Sequence, residues 1–169
     1  MFARFRIAQF ETRATKVLGD IVNTLRTQDL LTERTFKDPY FIGFTVGLAI
    51  LILRMSKADK HKLVEPLARV LRHVVGPGGD AMPAAFIELY ADRGAADFHR
   101  GKDDADHFMC ALIGRPDLTY PVMKKATELV PAPGRQMQSV FPEDPVDLNS
   151  TLLSNFLNLT IVVRALALR

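Results

Sequence analysis

The segment from Tyr40 to Leu53 is apolar apart from Thr45, and it limits what this chain can fold into more than any other stretch. Its 14 residues fall short of the roughly 20 that a helix needs to cross a bilayer, so a core helix is expected rather than a membrane span. Asp38-Pro39 stands immediately before it. An oxygen-bearing side chain followed by proline is a helix-start signal, because the acid can cap free N–H groups and proline fixes the first helical φ. Gly43 and Gly47 lie four apart and share a helix face. That spacing lets a second backbone approach closely, and tight packing inside a core is the expectation.

The same start signal recurs at Asp144-Pro145, and residues 146–168 then read as a helix apolar nearly all round except Ser154, Asn155 and Asn158. A helix with so narrow a polar strip is expected to be central, or buried in an oligomer. Residues 8–27 give an amphipathic pattern. Phe10, Ala14, Val17, Leu18, Ile21, Val22 and Leu25 repeat at helical spacing.

Ser56-Lys57-Ala58-Asp59 is a partial capping box ahead of a helix running toward Val74, with Pro66 either kinking it or starting a second one. Gly76-Pro77-Gly78-Gly79 closes that helix. Further helices are expected over 81–93, with Phe86, Ile87, Leu89 and Tyr90 as the apolar side, over about 103–113 after a break at Gly101, and over about 121–130. Residues 131–145 hold four prolines and read as a long internal loop. No strand pattern is visible. The expectation is an all-α fold, a single compact bundle-like domain over 1–169, with about seven helices and two nearly all-apolar central ones.

Cys110 is the one cysteine, so an internal disulfide framework is excluded, and a small buried hydrophobe is its expected role. The first residues lack the apolar core of a secretory signal, and a cytoplasmic location is expected. Residues 1–75 carry 13 Lys and Arg against 7 Asp and Glu, whereas 76–169 carry 9 against 12. The surplus gathers on a helix over 54–73. There Lys57, Lys60, Lys62, Arg69 and Arg72 could meet phosphates of nucleic acid or of an anionic membrane surface. No aromatic residue is interleaved and no recognition-helix motif is present, so nucleic acid is not the favoured partner. A solvated helix face is preferred.

Chemistry is most concentrated between Asp97 and His107. His99, Asp103, Asp106 and His107 are suitable ligand types for a divalent metal, and the Asp104-x-x-His107 pair loosely resembles half of a di-iron carboxylate site. Four-helix di-iron sites need Glu-x-x-His, which the chain lacks. Helix capping by Asp103, with Asp104 and Asp106 in the first turn, accounts for the same residues and is preferred. No cofactor is therefore expected, a divalent metal being the alternative. The Pro-rich loop offers Met137, Val140 and Phe141 as core anchors or as a foothold for a partner. Gly-x-Ser-x-Gly, His-Glu-x-x-His, Cys-x-x-Cys and Gly-x-Gly-x-x-Gly are all missing. The functional expectation is a non-catalytic helical interaction domain, binding a protein partner or itself. A metal-dependent helical enzyme or sensor and a polyanion binder are the alternatives.

Overall fold

The computed structural model describes residues 2–130 and 151–169, with side chains from residue 5 onward. The chain is an all-α bundle with no strand among the described residues. Its helices are α1 (Phe2–Thr27), α2 (Pro39–Arg54), α3 (Val64–Val75), α4 (Met82–Ala91), α5 (Ala96–Leu112), α6 (Pro121–Glu128), α7 (Thr151–Leu157) and α8 (Val163–Ala167). A π-helical turn, Asn158–Val162, joins α7 to α8 without a break, so the described residues form seven helical rods.

Helix α2 is the axis around which α1, α3, α4 and α5 pack. Asp38 caps it: Oδ1 accepts from the Tyr40 amide at 3.1 Å and the Phe41 amide at 3.4 Å, with Pro39 in the first turn. Every residue from Tyr40 to Ala49 is buried, as are Ile52 and Leu53. Hydrophobic burial on all sides of one helix is what a sequence without a polar face demands.

The α2–α5 crossing depends on glycine. A Cβ on Gly43 would stand 3.1 Å from the Lys102 amide nitrogen and inside the contact distance of the Phe98 carbonyl oxygen. One on Gly101 would stand 2.9 Å from the carbonyl carbon of Tyr40. Gly47 has more room, its nearest neighbour being the Ala105 Cβ at 3.6 Å. Gly101 therefore does not break the helix as its local propensity suggests. Helix α5 runs straight through it, and the cost of a mid-helix glycine, about 1 kcal/mol, is offset by packing that no larger residue permits. Asp103 is consequently a mid-helix residue and not a cap.

Other elements depart from the sequence reading in instructive ways. Ser56 does cap locally, Oγ accepting from the Ala58 amide at 3.3 Å, but it starts no α-helix. A 3-10 turn, Lys60–Leu63, intervenes, and α3 begins at Val64 with Pro66 in its first turn, where a missing N–H costs nothing. The apolar side of α4 is only partly covered. Phe86 meets Phe98 edge to face at 5.0 Å, whereas Ile87 is 69% and Tyr90 61% exposed. The run from α7 to α8 is not central all round: Leu152, Leu153, Phe156, Leu157 and Ile161 are buried, while Val163 and Leu166 face outward. Cys110 is half-buried rather than fully enclosed. No helix among the described residues is long and apolar enough to cross a membrane.

Candidate functional site

Two features stand apart from ordinary packing: a buried polar node on one face of α5 and an open apolar cleft on another.

The node centres on Asp104, a carboxylate only 3% exposed. The Tyr40 hydroxyl donates to its Oδ2 at 2.7 Å and the Tyr120 hydroxyl to its Oδ1 at 2.6 Å. Burial pushes the Tyr40 phenol well above its ordinary range, and the neighbouring Asp104 charge and hydrogen bond push it further. Tyr120 is raised in the same way, by burial first and then by its bond to Asp104. Both phenols are therefore held protonated as donors. His107 stacks on Tyr120 at 3.7 Å between ring centroids, and its Nδ1 lies 3.6 Å from Asp117 Oδ2. The Thr119 hydroxyl donates to Asp117 at 2.6 Å and holds that carboxyl below its usual range.

A second ion pair borders the node. Arg164 donates to both oxygens of buried Asp38, Nε to Oδ1 at 3.1 Å and Nη2 to Oδ2 at 2.6 Å, and Nη2 also donates to Asp97 at 2.8 Å. Its bond to Asp38 raises the guanidinium pKa. Arg100 and Arg164 both stand over the Tyr40 ring, at 5.4 and 5.9 Å. Among the described residues no buried side-chain nitrogen or oxygen lacks a partner. Both Asp104 oxygens are already taken by hydroxyl protons, so the node ties α2, α5 and the start of α6 together.

The four residues that the sequence suggests as metal ligands do not converge. His99 Nε2 lies 3.0 Å from the Asp92 carbonyl oxygen, Asp103 and Asp106 pair with Lys102 at 3.2 and 3.1 Å, and His107 faces Asp117. Among the described residues no group of three or more His, Cys, Asp or Glu is placed to hold a metal ion. Of the basic residues, Lys62 pairs with Asp59, Arg69 with both Glu11 and Glu65, and Arg72 with Asp80. Lys57 and Lys60 are exposed. Met137, Val140 and Phe141 lie outside the described residues.

The cleft encloses about 500 Å³ between the second half of α2, the Lys60–Leu63 turn, the start of α3, and α4. Gly47, Ile50 and Leu51 line it from α2, Leu63, Val64 and Leu67 from the α3 side, and Phe86 and Tyr90 from α4. Arg54, Lys60, Lys102 and Asp106 are its charged members. Burial pulls the Lys102 ammonium down in pKa, but its bonds to Asp106 and Asp103 outweigh that and the net shift is upward. None of Tyr40, Asp104, Tyr120 or His107 lines the cleft. Sequence reading missed both features. The available signal for the node was Asp104 itself, a carboxylate at helical spacing from Gly101 and Phe108 on the buried stripe of α5.

These elements define an all-α bundle with a closed polar node and an open apolar cleft. A scan with protein-family models and searches of curated proteins and of solved structures found no match.

Proposed function

We propose that this chain is a non-catalytic helical binding domain and that its binding surface is the cleft beside α2. One observation carries the reading: about 500 Å³ of largely apolar space, within the range typical of small-ligand pockets, opens beside large apolar side chains left in solvent. Val64 is 66% and Tyr90 61% exposed, and both line the cleft. Apolar surface gathered around a concavity marks a contact site more often than scattered apolar residues do. The Asp104 node supports the non-catalytic half of the reading, since its acceptor oxygens are occupied by Tyr40 and Tyr120 and its phenols are poor acids.

Titration with Nile red, a neutral dye that brightens in apolar surroundings, tests the proposal. Saturable binding is expected, weakened about thirtyfold or more by the paired substitution Val64→Ser and Tyr90→Ser, because each removes apolar contact worth about 1 kcal/mol or more. Both positions are exposed, so the fold survives. Binding that ignores these substitutions contradicts the assignment.

A further inference from the structure

Two of the four charged side chains that line the cleft are not neutralised by a neighbour. Lys62, Arg69 and Arg72, on or beside α3, each have a carboxylate partner at 2.9 Å or less. Lys102 inside the cleft is answered by Asp106 and Asp103. Arg54 and Lys60 also line the cleft, and neither has an ion-pair partner among the described residues. Arg54 closes the last turn of α2, where the helix dipole favours a cation. No such cause holds Lys60, which opens a 3-10 turn. Both are exposed and share the cleft lining with Leu51, Leu53, Leu63 and Val64. A single anion drawn to both would gain charge-assisted hydrogen bonds next to apolar surface.

Resting on the binding reading above, we infer that the cleft takes a small amphiphile: a single apolar chain along Ile50, Leu67 and Phe86, with a carboxylate head between Arg54 and Lys60. The volume suits a small ligand. The guanidinium fork of Arg54 matches a carboxylate with two parallel N–H donors, and Lys60 adds a second point charge. Shape and charge thus ask for the same molecule from opposite ends.

Calorimetric titration with decanoate and with decanol separates head from chain, because the two share a tail and differ in charge. Decanoate is expected to bind one per chain and about tenfold more tightly than decanol, with that advantage lost in 0.5 M salt, an ionic strength at which the screening length is only about 4–5 Å. The exposed double substitution Arg54→Gln and Lys60→Gln is expected to bring the ratio of decanoate to decanol affinity down to about one. Equal affinity for both ligands in the unaltered protein overturns the carboxylate inference and leaves the apolar cleft standing. Failure of both ligands to bind overturns the cleft as well. A doubled molar mass in solution that Tyr90→Ser returns to the monomer also overturns the inference, since a second copy then fills the space. Decanoate affinity unaffected by the double substitution places the head elsewhere and overturns it too.

Discussion

Replacing Gly43 with alanine puts the α2–α5 crossing under direct test. An added Cβ there meets backbone only: the Phe98 carbonyl, whose carbon would lie 3.2 Å away, and the Lys102 amide nitrogen at 3.1 Å. Backbone cannot rotate aside as a side-chain end can, so the helices must separate, and the contacts of Phe44 with Phe108 and of Tyr40 with Asp104 loosen with them. Overpacking of this kind costs about 1–3 kcal/mol or more. Alanine recovers about 1 kcal/mol of helix propensity; because the clash is with backbone at both contacts, the cost is taken at the upper end of that range, and the net loss is about 2 kcal/mol. Gly19, in the middle of α1, has nothing within 4 Å of its added Cβ. Gly19→Ala should therefore stabilise by about 0.5–1 kcal/mol. Urea unfolding followed by far-ultraviolet circular dichroism, with linear extrapolation, measures both. The opposite signs are the point of the comparison. If Gly43→Ala stabilises the protein as Gly19→Ala does, the close crossing is wrong.

Three further outcomes follow from the polar contacts. Asp104→Ala strands two hydroxyls, one of them deeply buried, and should cost about 2–4 kcal/mol, whereas Tyr120→Phe should cost about 1 kcal/mol; equal costs in urea unfolding would count against the node. Arg164→Met leaves the buried Asp38 carboxylate with only its two capping amides, and a loss of about 1–3 kcal/mol is expected, reduced from the fully buried case because Arg164 keeps some solvent contact. The raised phenol pKa values of Tyr40 and Tyr120 mean that the folded state keeps protons the unfolded chain releases near pH 10. Their contribution to stability is thus full below about pH 10 and falls as pH rises further. Tyrosinate absorbance from these two residues should appear together with unfolding; early ionisation in the folded protein would contradict their burial.

Much of the fold was legible where one signal acts locally. Asp38-Pro39 marked the start of α2, and the apolar residues read from Phe10 to Leu25 are all buried in the core. Legibility ended where distant segments decide. Gly101 looks like a helix break because its cost is local, while its benefit lies in the Tyr40 backbone 61 residues earlier in sequence. Asp104 looked like a first-turn acid for the same reason, since the continuity of α5 is set by that packing. The pairing of Asp38 with Arg164 spans 126 residues, and no spacing rule reaches so far. The cleft draws its walls from four helices, and each contributes residues that read as ordinary core or ordinary surface when taken alone.

Backbone amide chemical shifts recorded during a decanoate titration locate the ligand on the bundle residue by residue. Shifts are expected to concentrate at Gly47, Ile50, Arg54, Lys60, Val64 and Tyr90, with Tyr40, Asp104 and Tyr120 unmoved. Shifts centred on the Asp104 node, or spread evenly over the bundle, would contradict binding in the cleft.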